Sequence, residues 1–141
     1  MKRRRRGRGR VPCPCGSGGR YEACCQPWHD GAPAPTPEAL MRSRYSAYAL
    51  GLVGYIVRTT HPEGPIFRED TGAWSGELRR FCKNTRFLGL EVLEVEGPEE
   101  GAGHVTFRAT MTQYGMDASM TERSCFEQVD GAWLYVSGEP W

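Results

Sequence analysis

Between residues 37 and 83 apolar side chains recur at helical spacing, and beyond residue 85 the period shortens to two. Thr36 reads as an N-cap, with Pro37 at the first helical position and Glu38 in the first turn, and Leu40, Tyr45, Tyr48, Ala49 and Leu52 follow the helical repeat. The spacing predicts a helix over 37–50. Gly51 loosens its end, and a second helical stretch over 52–59 stops ahead of His61-Pro62, because proline disfavours helix in the residue before it. Residues 64–70 read as irregular and 73–83 as a third helix, with Trp74, Leu78 and Phe81 on one side.

Residues 86–96 are rich in Leu and Val and end at Gly97-Pro98, which predicts a strand although its alternation is imperfect. The stretch 104–114 is cleaner: Val105, Phe107, Ala109 and Met111 share one face, and Thr106, Arg108, Thr110 and Thr112 take the other. A turn at 115–117 leads into a strand over 118–129, and Asp130-Gly131 is a hairpin signal before Trp133-Leu134-Tyr135-Val136. Three helical segments followed by four meandering strands predict an α+β domain over 38–141, its N-terminal helices packed on a curved antiparallel sheet.

Ahead of that domain, residues 31–37 carry three prolines and read as a stiff linker that sets off residues 11–30. Those residues contain Cys13-Pro14-Cys15-Gly16-Ser17-Gly18-Gly19-Arg20-Tyr21-Glu22-Ala23-Cys24-Cys25, which holds four of the six cysteines. One residue separates Cys13 from Cys15 and none separates Cys24 from Cys25, a spacing that strains a disulfide within each pair and suits convergence on one ion. Four soft sulfur ligands in a tetrahedral array satisfy zinc and leave no position for a reacting water, so the expected site is structural. The glycines let the chain turn back, and Arg20 is expected to offset the thiolate charge. Cys82 and Cys125 are isolated and read as small hydrophobes.

Composition narrows the picture further. A chain of 141 residues supports one domain with a sizeable core, and 39% hydrophobic with 25% charged residues is ordinary for a globular protein. No apolar run approaches the roughly 18 residues of a membrane span. The basic start is not followed by the apolar segment of a signal peptide, so a cytoplasmic, reducing location is expected. The net charge of +1 hides an asymmetry: residues 2–10 hold seven bases and no acid, leaving 11 bases against 17 acids from residue 11 onward. Residues 1–10 are therefore expected to form a disordered basic tail able to neutralise phosphates.

The cysteine-rich stretch, Cys-Pro-Cys-Gly-Ser-Gly-x-x-Tyr-x-x-Cys-Cys, resembles the SEC-C motif, a short zinc-binding knuckle. That resemblance implies Cys13, Cys15, Cys24 and Cys25 as ligands, with Tyr21 packing the knuckle. His29 is the nearby rival for the fourth position. Because Cys25 already completes the motif, His29 is expected to be a solvent-facing loop histidine beside Trp28. Leu40-Met41-Arg42-Ser43-Arg44-Tyr45-Ser46-Ala47-Tyr48, Thr60-His61-Pro62, Glu122-x-Ser124-x-Phe126 and Gly131-x-Trp133-x-Tyr135-x-x-Gly138 resemble the YchJ family of uncharacterised bacterial proteins. The resemblance implies a nuclear-transport-factor-2-like (cystatin-like) cone preceded by the zinc knuckle. Some members carry a second knuckle at the C-terminus, and no such motif stands before Trp141.

Such a cone encloses a pocket between sheet and helices, and Tyr45, Tyr48, His61, Trp74, Glu122, Ser124 and Trp133 are the candidates to line it. Alternation turns Glu122 inward with Ser124 and Phe126. There it is either a general base paired with His61, in an isomerase- or dehydratase-like site, or half of a buried ion pair with Arg42 or Arg44. One acid and one histidine without a nucleophile favour the structural role. The leading functional expectation is a zinc-stabilised interaction module whose knuckle, with the basic tail, meets a protein, ribosome or nucleic-acid partner. A small-ligand site or enzyme in the cone is the alternative, and a redox role for the vicinal cysteines ranks below both, since four-thiolate zinc is ordinarily inert.

Overall fold

Thr36 sets the start of the first long helix. In the computed structural model, which describes residues 11–141, its hydroxyl accepts from the Ala39 amide at 3.0 Å and Pro37 follows at the first helical position. The side chain satisfies a donor that the helix itself cannot, and the missing N–H of proline is lost where none was needed. The expected basic tail, residues 1–10, lies outside the described residues.

A 3-10 turn at Tyr21–Ala23 comes first, followed by the short helix α1 (Gln26–His29), then α2 (Pro37–Leu50), α3 (Val53–Arg58) and α4 (Thr71–Asn84). Gly51 closes α2 in the left-handed conformation, with φ of 75°. The third helix begins two residues ahead of the expected 73, because the Asp70 carboxylate accepts from the Ala73 amide and caps it there. Helix α3 ends before His61-Pro62 as expected. Its end is stitched to the last strand by Tyr135 N–H to Thr59 C=O and His61 N–H to Tyr135 C=O, both at 2.8 Å.

Strands β1 (Thr85–Glu99), β2 (Ala102–Gln113), β4 (Met120–Val129) and β5 (Ala132–Pro140) form an antiparallel sheet in the order β1-β2-β4-β5. The expected turn at 115–117 contributes one more short strand, β3 (Met116–Asp117), paired with the end of β2. Asp130 and Gly131 both have positive φ, 51° and 83°, the backbone of a tight hairpin turn between β4 and β5. The imperfect alternation of β1 has a geometric cause. Its register with β2 slips between Phe87 and Gly89 and again between Val92 and Glu94. The extra residues at these bulges, Leu88 and Leu93, are 56% and 48% exposed.

Helix α2 packs across the sheet. Leu40, Met41 and Ala47 from α2, Tyr55 and Ile56 from α3, and Val105, Phe126 and Trp133 from the sheet form one buried core. Helices packed on an antiparallel sheet are the α+β cone that was expected. No helix among the described residues is long and apolar enough to cross a membrane. Residues 31–36 are irregular and Pro37 already opens α2, yet this stretch does not hold the knuckle away from the domain. Ala34 is buried in the core, and Cys13, Cys15, Tyr21 and Cys25 pack together with Tyr45, Ala109 and Met111 of the cone.

Candidate functional site

Glycine lets the knuckle close. Gly16 and Gly18 adopt φ of 77° and 90°, and the reversed chain is pinned by Cys13 N–H to Gly19 C=O and Tyr21 N–H to Val11 C=O, both at 2.9 Å. This miniature hairpin returns Cys13 and Cys15 to the 3-10 turn, whose end delivers Cys24 and Cys25. All four sulfurs lie within 4.8 Å of one another, and among the described residues they are the one such group of potential metal ligands. The Cys15 and Cys24 sulfurs are 3.6 Å apart, and those of Cys24 and Cys25 4.0 Å. These spacings bracket the ~3.8 Å edge of a tetrahedron with metal–sulfur bonds of about 2.3 Å. The donor set therefore fits a tetrahedral thiolate-bound ion. Three of the cysteines are buried and Cys24 is half-buried.

The sulfurs are not equivalent. Hydrogen bonds from Cys13 and then Cys25 hold the Cys15 thiol far below its ordinary range. Bonding to Cys15 pushes Cys13 up to about 11, and bonding to Cys13 and Cys15, with burial, pushes Cys25 up as well. Cys15 is thus the sulfur whose surroundings favour the thiolate. Arg42 meets it: Nη1 donates to the Cys15 carbonyl at 2.9 Å and lies 4.0 Å from its sulfur, while Nε bonds the Glu38 carboxylate at 3.0 Å. Ser17 Oγ is 3.1 Å from the Cys24 sulfur. Arg20, expected to offset the thiolates, is instead exposed and pairs with Glu22 among the described residues. Replacing Arg42 by Gln removes the cation and the hold on the Cys15 backbone. Metal affinity should fall by about 10- to 100-fold, as is usual when a residue bracing a ligand is lost. Competition against a chromogenic chelator measures this, and unchanged affinity would make Arg42 a bystander.

His29 is not the solvent-facing loop residue that the sequence implied. It is half-buried between knuckle and domain: Nε2 lies 2.8 Å from the Ser43 carbonyl, Nδ1 lies 2.6 Å from the Tyr21 hydroxyl, and its ring meets Tyr55 edge-on at 4.8 Å. Arg58 donates to the carbonyls of Trp28 and His29 at 3.2 Å each. The group of potential metal ligands contains Cys25 and does not include His29. Cys82 and Cys125 stand half-buried and apart from the cluster, each thiol pushed up by burial.

The cone holds a cavity of about 400 Å³ lined by five of the candidates: Tyr45, Tyr48, Trp74, Glu122 and Ser124. The other two lie elsewhere. Trp133 is buried in the core, and His61 sits 3.4 Å from Glu127, with its Nδ1 accepting from the Glu63 amide. His61 does not meet Glu122, because its backbone is fixed to β5 and its ring faces the far end of β4. Neither arginine pairs with Glu122. Arg42 serves the knuckle, and Arg44 Nη1 donates to Ile56 C=O, Thr59 Oγ1 and Thr60 Oγ1. Glu122 instead accepts from Ser124 Oγ at 2.6 Å and from the Tyr135 hydroxyl at 3.0 Å. Burial, followed by the Glu122 charge, pushes the Tyr135 phenol up, which keeps it a donor at neutral pH.

Known proteins carry the same two parts. The family described as "YchJ, middle NTF2-like domain" matches residues 36–138, and the SEC-C motif matches residues 11–27. A curated UPF0225 protein of Deinococcus radiodurans is 46% identical over 123 residues, 86% of this chain and 83% of its own. The solution structure of a SEC-C motif containing protein from Rhodopseudomonas palustris superposes with a TM-score of 0.79 at 39% identity, covering 92% of this chain and 98% of that one. A SEC-C motif containing protein from Psychrobacter arcticus gives 0.77 at 27% identity, over 92% of this chain and 82% of the other. The four-cysteine knuckle on an NTF2-like cone, with relatives alike along most of their length, places this chain in the YchJ family.

Proposed function

We propose that the chain is a zinc-binding interaction module, in which Cys13, Cys15, Cys24 and Cys25 hold a structural zinc ion and the knuckle offers a rigid surface to a protein, ribosome or nucleic-acid partner. The observation that carries this is the all-sulfur group of four potential ligands, which among the described residues takes in no histidine and no carboxylate. Zinc suits four thiolates without redox chemistry, and a filled shell leaves it no reacting water, so its work is mechanical. The knuckle's inner side is packed on the cone, while residues 16–20 face solvent. That arrangement braces a small exposed loop from behind. The seven bases of residues 2–10 adjoin it in sequence and supply attraction for phosphate groups.

Capture from a native bacterial lysate, with the full chain and its Cys24→Ser, Cys25→Ser variant as paired baits, tests the reading. Partners should be retained by the parent chain, which elemental analysis should find with one zinc per chain, and lost from the variant. Identical partners on both baits, or a parent chain free of zinc, would overturn it.

A further inference from the structure

The cone's cavity is a built site that the knuckle does not use. Aromatic rings are prominent in its lining, with Tyr48, Trp74, Phe107 and Phe126 among them, and the lining includes Glu122. Both hydroxyl donors to Glu122, from Ser124 and Tyr135, are given to the same oxygen, Oε2. Among the described residues Oε1 has no partner, and it is not one of the buried polar atoms that lack one, which are Tyr45 Oη and Thr106 Oγ1. One carboxylate oxygen is thus held and the other is open.

The neighbouring strand makes room for this carboxylate. Gly138 pairs with Ser124, and a side chain at Gly138 would overlap the carboxylate of Glu122 and crowd its Cγ at 2.8 Å. Arg44 lines the same cavity, and its charge is held on the protein's own groups. Its guanidinium lies over the Tyr135 ring at 4.4 Å, with Nη1 spent on three oxygens, so the ring stays placed to donate to Glu122 while the arginine keeps its own partners. Glu77, exposed on α4, adds a second carboxylate to the lining.

From these groups we infer that the cavity binds a small organic amine, its ammonium on Glu122 Oε1 and its apolar body among the aromatic rings. A protonated amine is the chemistry that an open carboxylate oxygen and aromatic faces both favour. The oxygen accepts a charge-assisted hydrogen bond, and the rings attract a cation while covering a hydrocarbon body. The cavity volume falls in the range that holds a compact ligand of one ring and a short chain. The carboxylate acts here as a recognition group, and no bond to the ligand is made or broken.

Three probes of matched shape test this on the full-length chain: phenethylamine, 2-phenylethanol and phenylacetate, titrated by calorimetry and by the Trp74 indole resonance. Phenethylamine should bind about 10- to 100-fold more tightly than either analogue, the discrimination expected of a charge-assisted hydrogen bond. Glu122→Gln keeps an acceptor for Ser124 and Tyr135 and should erase that preference while the alcohol still binds. Gly138→Val leaves the charge in place but pushes the carboxylate aside, and should weaken the amine as well. Equal binding of the three probes, tighter binding of phenylacetate, or no shift of Trp74 with any of them would overturn the assignment. So would a Glu122→Gln chain, folded by its retained indole shifts, that still prefers the amine.

Discussion

Replacing Cys24 and Cys25 together by serine should abolish metal binding and lower the melting temperature by about 10 °C. Two sulfurs remain, too few for a closed tetrahedral site, and serine hydroxyls are poor ligands at neutral pH. In small zinc domains the metal supplies about 10–16 kcal/mol and the apo form is unfolded. The whole of that figure is not passed to this domain, which keeps its own core of Leu40, Ile56, Val105 and Phe126. What the domain loses is the shared packing, because Tyr45, Ala109 and Met111 are covered by Cys13, Cys15, Tyr21 and Cys25. Uncovering such residues costs about 3 kcal/mol, at 1.5–3 kcal/mol for each fully exposed apolar side chain and less for partial exposure. In a chain of this size each kcal/mol shifts Tm by about 2–4 °C. Elemental analysis and a thermal melt with and without chelator check both parts. A variant that keeps its metal, or one that melts with the parent, contradicts the coupling.

That coupling is where the sequence was least informative. Helix α2 was readable end to end because its signals are local: Thr36 caps it, Pro37 starts it and Gly51 in the left-handed conformation stops it. The sulfur cluster was equally local, four cysteines inside thirteen residues that the fold brings within 4.8 Å of one another. Arg42, Ser43 and Ser46 are different. On a helix they look like ordinary polar positions between apolar ones. Their tasks are set by what lies across the interface: Arg42 by Cys15, Ser43 by His29 and Tyr55, and Ser46 by His29. One signal was available, since Glu38 and Arg42 are four apart and hold each other at 3.0 Å, which aims the guanidinium along the helix surface. Nothing local says what that surface covers.

Strand parity carried the cavity further than the helices did. Glu122, Ser124 and Phe126 share a face, as alternation required, and Glu122 and Ser124 meet directly. Parity does not say which loop residue comes to rest beside which strand end. The backbone bond between His61 and Tyr135 decides that, and it puts the imidazole against Glu127, one step out of phase with the inward face. Tyr135 occupies the place foreseen for His61 as the partner of Glu122. It stood in a recognised stretch, Gly131-x-Trp133-x-Tyr135, but its partner depended on the pairing of β4 with β5 and on the bulge after Cys125.

Converting His29 to Ala should destabilise the chain by about 2–3 kcal/mol, a fall in Tm of roughly 4–12 °C. The tautomer explains why. The Ser43 carbonyl can only accept, so Nε2 carries the proton, and Nδ1 is left to accept from the Tyr21 hydroxyl. The neutral ring thus bonds the knuckle at one nitrogen and α2 at the other, and alanine removes both bonds together with the edge-on contact to Tyr55. Burial sets the pKa of His29 below its ordinary value, Arg58 pushes it the same way, and Asp30 and the Ser43 carbonyl oppose them. A lowered folded-state pKa means that the unfolded chain binds the proton more readily. The contribution of His29 is therefore complete above about pH 6.5 and declines as the pH falls below that value. Protonation would also turn Nδ1 into a donor and take away the acceptor that Tyr21 uses. Urea melts at pH 7.5 and pH 5.5 should show the gap between the parent chain and His29→Ala narrowing at the lower pH. Because both proteins share the cysteine site, its own proton dependence cancels from the difference. A gap that stays constant or widens would mean that the ring is held in its charged form and that the knuckle docks by other contacts.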